Sequence, residues 1–385
     1  MIYLDNAAST PVHEKVIEEM LPFFREEYGN PSSIHRHGRL ANIAIQNARK
    51  RIAALINADS NEILITSGGT ESNNTVIYGL ASQSKGRQII TSSIEHDAIL
   101  EPCRYLEQKG YRISYLPVDQ YGLVNPEDLE KEISGDTCLI TIMFANNEVG
   151  TIQPIKEIAQ IAREKNIIFH TDAVQAVGKI PIDVKDLGID LLSISSHKLN
   201  GPKGVGALFV RNGIKISPLI LGGGQERGLR SGTENVASIV GFGMACKLAS
   251  DNLNENMTHF KKLTTHLISR VLAEIPFTAL NGHPYLRIPN NTNFTFLGVS
   301  GEDLIIKLDE NKISASTGSA CSVKVQKASH VLKAMGFSHE QVTGSLRLTV
   351  GITNTKQEID ETVDVLKKVV QELRAVSPYK SKYNF

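Results

Sequence analysis

The chain has 385 residues, of which 41% are hydrophobic, and its 41 basic and 41 acidic side chains balance. This length and hydrophobicity are typical of one large or two moderate globular domains, while the charge balance argues against nucleic acid or an anionic membrane as a bulk partner. No apolar stretch approaches a membrane span. The four cysteines form no C-x-x-C pair, so neither zinc nor a disulfide framework is indicated, and a reducing cytoplasm fits.

The predicted elements begin after an N-terminus without a basic segment followed by an apolar one, so we expect no secretory signal. From about residue 40 to 250, short apolar runs alternate with helical patterns. The predicted strands are residues 62–66, 88–91, 111–116, 137–143, 167–171, 191–195 and 207–210. Their spacing leaves room for helical crossovers, which predicts a mostly parallel seven-stranded sheet with helices on both faces.

The remainder of the chain has a different pattern. Residues 237–274 look helical, and residues 356–374 predict a final helix. Between them, residues 293–296, 313–316 and 345–350 alternate like half-exposed antiparallel strands. We therefore expect an α/β fold with a large domain over residues 15–255, and a smaller α+β domain built from residues 1–14 and 256–385.

Lys198 lies between an apolar strand and the glycine-rich run 201–206. The end of a buried strand is a poor place for a solvated charge, but it suits an amine that loses its proton and bonds to an aldehyde. Asp172 ends another predicted strand. Pyridoxal 5'-phosphate (PLP) requires such a pair, a lysine for the Schiff base and a carboxylate for the pyridinium nitrogen. A structural ion pair at a sheet edge explains the two residues equally well.

Residues 67–70 join a strand directly to a helix and contain two glycines and a threonine. Gly69 and Thr70 would offer backbone N–H groups, a hydroxyl and the positive end of a helix dipole, which suits phosphate. An ordinary helix cap would have the same residues. The chain contains neither a Walker loop nor a dinucleotide fingerprint.

Several polar side chains follow predicted parallel strands, whose carboxyl ends share the ligand-binding edge of an open sheet. They are Thr70, His96, Asn147, Asp172, Gln175 and Lys198. A lone histidine is more often structural. It is this convergence that favours a cofactor role for His96, as a ring-stacking or proton-carrying group.

Cys321 lies in a tract of small residues, 314–322, where a cysteine is expected to be exposed and mobile. The alternative is a small residue in a tight loop. Arg347 lies in a predicted strand among apolar neighbours. Its planar guanidinium could clamp a substrate carboxylate, and a structural ion pair is equally consistent with the sequence.

The chain resembles the cysteine desulfurase family, PLP enzymes of fold type I within the class V aminotransferases. The resemblance covers nearly the whole chain and depends on ordered motifs, among them SGGTESNN (67–74), SSHKLNGPKGVGAL (195–208) and STGSAC (316–321). The last motif is similar to that of the family's first group, which includes the nitrogen-fixation and housekeeping iron–sulfur enzymes.

The resemblance implies a role for each matching position. Lys198 would be the Schiff-base lysine, His96 the ring-stacking histidine and Cys321 the nucleophile. The phosphate ligands would be Gly69, Thr70, Ser195 and His197, with Thr233 reaching in from a neighbouring subunit, which implies a homodimer. The remaining roles are Asp172 for the pyridinium nitrogen, Gln175 for the phenolic oxygen, and Asn147 and Arg347 for the substrate carboxylate, with Asn147 also a cofactor ligand.

The implied reaction converts L-cysteine to L-alanine and leaves a persulfide on Cys321. The sulfur would pass to an acceptor protein, either an iron–sulfur scaffold or a tRNA-thiolation enzyme. Two departures from the pattern of the housekeeping enzymes leave the identity of the sulfur acceptor undecided. Residues 322–327 are more basic than in that pattern, and the sequence ends at Phe385, soon after Tyr379. No resident metal is indicated, and whether Cys321 ever holds a transient iron–sulfur cluster stays open.

Three alternatives remain at this point. A selenocysteine lyase would share the fold and the cofactor. A class V aminotransferase or another lyase would make Cys321 dispensable. A non-catalytic scaffold would have no reason to keep Lys198, Asp172 and Cys321 together. We expect no direct nucleic-acid partner and no membrane.

Overall fold

The structure, a computed structural model, describes residues 1–318 and 328–383. Its strands are β1 (Ile2–Tyr3), β2 (Ile63–Thr66), β3 (Gln88–Ser92), β4 (Arg112–Leu116), β5 (Thr137–Thr141), β6 (Ile168–Asp172), β7 (Leu191–Ser195), β8 (Gly206–Val210), β9 (Thr278–Leu280), β10 (Asn291–Phe296), β11 (Ile313–Ser314) and β12 (Ser345–Thr349). The seven predicted strands of the large domain correspond to β2–β8, although β5 ends at Thr141 rather than at Met143.

The α-helices are α1 (Glu14–Met20), α2 (Pro22–Arg25), α3 (Arg36–Leu55), α4 (Gly69–Ala81), α5 (Asp97–Glu107), α6 (Pro126–Glu132), α7 (Ile155–Glu164), α8 (Val184–Leu187), α9 (Val236–Asp251), α10 (Leu253–Glu274), α11 (Gly301–Glu310), α12 (His330–Ala334), α13 (His339–Thr343), α14 (Lys356–Ala375) and α15 (Lys380–Tyr383). Short 3-10 turns lie at Ser60–Glu62, Ser196–Lys198 and Glu226–Gly228. None of the helices described here is long and apolar enough to cross a membrane.

The large sheet has seven strands in the order β2-β8-β7-β6-β5-β3-β4. Strand β8 runs antiparallel to both of its neighbours, and the other pairs are parallel. Since β2 and β7 flank β8, they run in the same direction as the parallel strands. Their carboxyl ends therefore meet at one edge, as the sequence predicted.

The large sheet is buried on both faces, which is why its strands appear as apolar runs rather than as alternating patterns. Ile63 and Ile65 pack with α3 and α9 residues in one core, whereas Leu64 packs with α4 and α5 residues in another. Helices thus cover both faces, and the polar residues collect at the strand ends.

A second core is formed by residues near the N-terminus, Ile2 and Leu4, and by apolar residues between Phe260 and Val370. It includes side chains of the three-stranded antiparallel sheet β12-β10-β9 and of helices α10, α11 and α14. The short pair β1-β11 is parallel, so the prediction of an antiparallel strand was wrong for residues 313–314, whereas Ser316 forms an isolated antiparallel bridge with Arg347. That strand pairs with the N-terminus, which local sequence cannot show.

One further prediction needs correction. Strands β10 and β12 are entirely buried rather than half-exposed, because their polar side chains are hydrogen-bonded inside the fold. Thr292 donates to the Leu348 carbonyl at 2.8 Å, and Asn293 donates to the Glu148 carbonyl at 3.1 Å. The helical pattern over 237–274 is two helices that break at Asn252.

Candidate active site

The carboxyl ends of β2 and β7 are aligned through the strand between them. Thr66 and Ser195 both pair with Gly206, the first residue of β8. A side chain on Gly206 would clash, because its Cβ would lie 2.7 Å from the Gly68 Cα. Glycine at this position lets the turn after β2 lie directly against the end of β7.

The turn after β2 leads into α4 and forms a cradle. Gly68 adopts a φ of 151°, and a Cβ on Gly69 would lie only 2.8 Å from a methyl carbon of Val174. Thr70, in the first turn of α4, is exposed, while Ser195 at the end of β7 is buried. Free N–H groups of a helix start beside two hydroxyl groups make a suitable phosphate site.

His197 lies next to this cradle, in the 3-10 turn after β7. Burial, and then the charges of neighbouring lysines, lowers the pKa of His197 to about 4. The ring is therefore neutral at physiological pH, and its Nδ1 lies 3.3 Å from the Ser9 hydroxyl. A neutral imidazole can donate one hydrogen bond to a phosphate oxygen.

Asp172 ends β6 as a buried carboxylate, with 8% of its surface exposed. Its oxygens accept hydrogen bonds from Asn73 Nδ2 at 2.6 Å and from the Val174 N–H at 3.0 Å. No Lys, Arg or His in the described ranges forms an ion pair with it. A buried carboxylate with neutral donors only is suited to a cationic ligand group.

His170 lies on β6 two residues before Asp172 and is completely buried. Its Nδ1 is 2.8 Å from the Thr141 hydroxyl and its Nε2 is 3.0 Å from the Ser193 hydroxyl. Burial lowers the pKa of His170 to about 3, so the ring is neutral. It ties β5, β6 and β7 together without placing a charge near the carboxylate.

His96 is the N-cap residue of α5, and its Nδ1 accepts a hydrogen bond from the Ala98 N–H at 3.0 Å. The preceding residue, Glu95, is completely buried. It accepts hydrogen bonds from the Ser92 hydroxyl at 2.6 Å and from the Met143 N–H at 2.9 Å. Burial raises the pKa of Glu95 to about 8. A neutral carboxylic acid thus fixes the segment that carries His96 to the end of β5.

Lys198 contacts the N-terminal segment. Its Nζ donates to the Ala7 carbonyl at 2.5 Å and to the Ala8 carbonyl at 2.7 Å. Gln175 Nε2 donates to the same Ala7 oxygen at 2.9 Å. In the described part of the chain, the buried Gln175 Oε1 has no hydrogen-bond partner. The Lys198 amine and the Gln175 amide therefore donate to the same carbonyl oxygen of Ala7. The Gln175 side-chain oxygen can still accept a hydrogen bond from a ligand.

Arg347 on β12 is 3% exposed. Its Nη2 is 2.8 Å from Asp5 Oδ1, and its Nη1 donates to the Asn147 carbonyl at 2.9 Å. Its buried Nε has no partner among the residues described. The ion pair that the sequence allowed is therefore present, and a guanidinium N–H is left over for a substrate carboxylate. The role of Arg347 in substrate binding stays a prediction.

Comparison with known proteins agrees with this geometry. The family model for class V aminotransferases matches residues 2–362. A cysteine desulfurase IscS from Methanosarcina thermophila is 53% identical, and the match covers 98% of this chain and 94% of that protein. The chain belongs to the cysteine desulfurase family.

Solved structures of NifS-like proteins share the fold. One, described as a NifS-like protein, has a TM-score of 0.91 at 40% identity, covering 96% of this chain and 99% of that one. Another, described as SspA in complex with cysteine, has a TM-score of 0.81 at 38% identity, covering 91% and 99%. The predicted α/β fold and the resemblance are confirmed, and this desulfurase-family chain is a PLP-dependent enzyme.

The residues present fit PLP. The buried Asp172 carboxylate lacks a cationic partner among the residues described, and a protonated pyridine nitrogen would supply one. The unpartnered Gln175 Oε1 and the Gly69 cradle fit the polar substituents and the phosphate. Lys198 provides the amine on the same edge. The individual ligand roles of these residues stay predictions.

Two predicted site residues are not brought to this edge by the described chain. Thr233 is exposed, in the loop between the 3-10 turn Glu226–Gly228 and α9. The 3-10 turn before that loop is held by a buried ion pair in which Arg49 binds Glu226 through both carboxylate oxygens, at 2.5 and 2.7 Å. Cys321 lies outside the described residues.

The site also contains residues to which the sequence analysis gave no role. Asn73 fixes Asp172, the Ala7 carbonyl holds Lys198, and Asp5 pairs with Arg347. Glu148 is buried, and it accepts a hydrogen bond from the Ser329 hydroxyl at 2.6 Å. Burial raises the pKa of Glu148. Asn73 had a detectable signal, since it follows Gly69 by one helical turn in a motif already assigned to the site.

Proposed function

We propose that this enzyme takes sulfur from L-cysteine, releases L-alanine, and passes the sulfur on through a persulfide on Cys321. The supporting observation is the buried Asp172 carboxylate, held by neutral donors only, on the sheet edge that also carries Lys198. When bound, PLP supplies an electron sink for the bonds at the substrate Cα. The chain's own residues orient the substrate and move protons.

The cofactor would be held by residues at the strand ends. Gly69, Thr70, Ser195 and His197 would bind the phosphate, because this cradle offers N–H groups, hydroxyls and a neutral imidazole. Gln175 would bind the phenolic oxygen with its amide.

His96 would stack on the ring, since its hydrogen bond to Ala98 fixes the orientation of the imidazole. The Asn147 carbonyl accepts a hydrogen bond from Arg347. We assign its side chain to the cofactor and to the substrate.

The substrate carboxylate would be recognised by Arg347 and Asn147. Arg347 pairs with Asp5, which keeps a buried guanidinium partnered. An incoming carboxylate would replace Asp5 or use the spare Nε–H. Lys198 would take the proton from the substrate Cα.

Sulfur transfer would follow on Cys321, as a thiolate. Its sulfur attacks the substrate sulfur, so that an S–S bond forms and the carbon–sulfur bond breaks. The electron pair of the broken bond stays on carbon, which takes up a proton and leaves as the alanine methyl group. The product on the protein is a persulfide.

The deciding experiment measures sulfide and alanine together, with purified PLP-loaded enzyme, L-cysteine and a reductant. We expect equal amounts of both from the wild type and neither from Cys321→Ala, which should still bind PLP. Unchanged turnover by Cys321→Ala would contradict the assigned nucleophile. Formation of alanine from selenocysteine but not from cysteine would favour a selenocysteine lyase. Turnover of keto acids would favour an aminotransferase.

We also propose a homodimer in which Thr233 reaches the partner's phosphate site. Large apolar side chains are exposed near the N-terminus and before the loop that carries Thr233. They include Phe24 at 62%, Tyr28 at 71%, Ile34 at 90% and Leu221 at 80%. Packing of two subunits would bury apolar side chains that are exposed in a single chain.

The sulfur acceptor is proposed only as a class, a protein that is either an iron–sulfur scaffold or a tRNA-thiolation enzyme. The basic residues at 322–327 that bear on this choice lie outside the described residues. A cytoplasmic location and the absence of direct nucleic-acid or membrane partners stay predictions from the sequence. The division into residues 15–255 and residues 1–14 with 256–385 also stays a proposal, supported by the separate core around Phe260–Val370.

A further inference from the structure

Glu148 is a buried carboxylic residue that the proposed reaction does not use. It follows Asn147 in the loop between β5 and α7, and 3% of its surface is exposed. Its backbone is fixed on both sides, since its N–H donates to Asn146 Oδ1 at 2.9 Å and its carbonyl accepts from Asn293 Nδ2 at 3.1 Å. A carboxyl group is buried at a cost unless it is hydrogen-bonded or paired, so the contacts of its side chain indicate its role.

The Glu148 side chain is bonded to the start of α12. Its Oε2 accepts a hydrogen bond from the Ser329 hydroxyl at 2.6 Å, and Ser329 is also buried. The same hydroxyl accepts from the Leu332 N–H at 3.0 Å, as the N-cap of α12. One buried hydroxyl therefore ties the start of this helix to the loop that carries Asn147.

The same side chain also lies against Gly318. A Cβ on Gly318, whose φ is 92°, would come within 3.2 Å of Glu148 Cγ and 3.3 Å of its Oε2. The Gly318 N–H donates to the Ser316 hydroxyl at 3.0 Å, and the Ser316 carbonyl accepts from the Arg347 N–H at 2.6 Å. Glu148 thus lies between two chain segments, one bound to β12 and the other leading into α12.

Gly318 and Ser329 are the flanks of one stretch of chain, residues 319–327, which contains Cys321. Three positions separate Gly318 from Cys321, so the place of Gly318 bounds the reach of the thiol. Attack on a substrate atom requires the two reacting atoms to approach to about 3–3.5 Å. A shift of either flank would therefore lower the rate of attack.

The contacts of Glu148 favour this role over a role in substrate binding. The charges of His330 and Arg347 act on its carboxyl group, as does that of Asp97 with the opposite sign. Arg347, however, is bonded to Asp5 and to the Asn147 carbonyl. Within residues 1–318 and 328–383, it forms no ion pair with Glu148.

We propose that Glu148 is a positioning residue that holds Ser329 by a hydrogen bond and packs against Gly318, and so keeps both flanks of residues 319–327 where Cys321 can attack the substrate sulfur. The proposal rests on the assignment of Cys321 as the nucleophile. Glu148 acts through the flanks and takes no part in the bonds that form and break.

The test separates chemistry, binding and the flanks themselves. PLP-loaded full-length enzyme receives L-cysteine and a reductant, and alanine formation gives kcat and KM. L-Alanine, which contains no sulfur, reports binding through the change in PLP absorbance. Trypsin digestion followed by mass spectrometry measures cleavage after Lys324 and Lys327.

The variants remove the bond from either side. Glu148→Ala and Ser329→Ala abolish it, whereas Glu148→Gln keeps an oxygen that can accept it. The double alanine variant shows whether the two residues act together. Glu361→Ala is the matched control, because Glu361 is an exposed carboxylate on α14. Circular dichroism ensures that only folded variants are compared.

We expect kcat to fall about tenfold or more in Glu148→Ala and Ser329→Ala, because the thiol reaches its attack geometry less often. KM for L-cysteine and the affinity for L-alanine should stay within about twofold of the wild type. Glu148→Gln should keep kcat within about threefold of the wild type. The double variant should be no slower than the slower single variant, since both lose the same bond.

Trypsin should cleave the two alanine variants several-fold faster than the wild type, because a segment with released flanks fits a protease more readily. Glu148→Gln and Glu361→Ala should be cleaved at the wild-type rate. This measurement does not involve turnover, and it does not depend on the role of Cys321.

Wild-type kcat in folded Glu148→Ala or Ser329→Ala would overturn the proposal. A rise in KM with kcat unchanged would also overturn it, because Glu148 would then act on substrate binding through Asn147. The same holds if Glu148→Gln is as slow as Glu148→Ala, since the hydrogen bond would not be the cause. If Cys321→Ala turned over like the wild type, the assigned nucleophile would fail and the proposal with it, whereas the cleavage rates would be unaffected. The two failures are therefore distinguishable.

Discussion

Asp172 shows how one buried carboxylate defines the chemistry of the site. Its two donors, Asn73 and the Val174 N–H, are neutral. Only an ionised carboxylate can keep a ring nitrogen protonated, and an amide cannot. We expect Asp172→Asn to bind PLP through the phosphate ligands and Lys198. Its rate of alanine formation should be about one hundredth of the wild-type rate or lower.

Visible absorbance and alanine release, measured on the same preparation, test this expectation. Asp136→Asn is a matched control, since Asp136 is exposed and lies away from the strand ends at the site. Alanine formation by Asp172→Asn within a few-fold of the wild type would contradict the assigned role.

Glu95 gives a prediction about stability. Burial raises the pKa of Glu95 from 4.5 to about 8. Between these two pH values the folded protein keeps the Glu95 proton, whereas the unfolded chain releases it. Stability contributed by this group is therefore present at acid pH and is lost as the pH rises to about 8. Glu95→Gln resembles the neutral acid and lacks this loss.

Urea unfolding at about pH 5 and about pH 8.5 tests the prediction. The free energy of unfolding of Glu95→Gln, relative to the wild type, should rise between these pH values by an amount on the order of a few kcal/mol. Glu132→Gln, at an exposed carboxylate, should show no such change. A difference between Glu95→Gln and the wild type that does not depend on pH would show that Glu95 is already ionised.

Individual residues could be singled out in the sequence where their chemistry stands out against an apolar background. Lys198 and Asp172 are charged residues at the ends of buried strands, so both were detectable locally. Asp5 and the Ala7 carbonyl were not, because their partners, Arg347 and Lys198, lie far along the chain.

At the scale of elements, Gly206 connects the sheet to the phosphate cradle. A Cβ there would lie 2.5 Å from the Ile194 carbonyl oxygen and 2.7 Å from the Gly68 Cα, and both are backbone atoms that cannot rotate away. We expect Gly206→Ala to displace the turn before α4. The cost to stability should be about 1–3 kcal/mol, and PLP affinity should fall by about tenfold.

Titration of the cofactor-free protein with PLP, together with urea unfolding, measures both effects. Gly135→Ala is the matched control, since no atom lies within 4 Å of its added Cβ. A Gly206→Ala protein that binds PLP as the wild type does would show that the cradle tolerates displacement.

The elements were predictable to different degrees for a physical reason. Strands buried on both faces, such as β3 and β7, are apolar runs that can be recognised directly. In β10, alternating Asn and Thr suggested an exposed face, yet those side chains are buried and hydrogen-bonded to β12 and to Glu148. Alternation shows which residues are polar, but not whether their partners are water or protein.

At the scale of the whole molecule, the N-terminal segment joins the parts of the site. Ala7 and Ala8 contact Lys198 at the large sheet, and Asp5 contacts Arg347 on β12. The site of one chain therefore depends on segments from both ends of the sequence. The remaining question at this scale is whether a second chain also contributes.

Complementation between two inactive variants answers this question. Lys198→Ala lacks the amine, and Thr233→Asp places a carboxylate where we expect the partner's phosphate. If Thr233 acts across the interface, the heterodimer has one intact site, with Lys198 from one chain and Thr233 from the other. Two differently tagged chains, co-expressed and purified through both tags, should then form alanine at about half the wild-type rate per dimer.

The matched control pairs Lys198→Ala with Asp172→Asn. Both residues lie on the same sheet edge of one chain, so neither site of that heterodimer is intact and its rate should stay at the level of the parents. If Thr233 instead served its own chain, the first heterodimer would also stay inactive, because each site would carry one defect. Recovery in the first pair alone would therefore establish a shared site, and with it a dimer as the active unit.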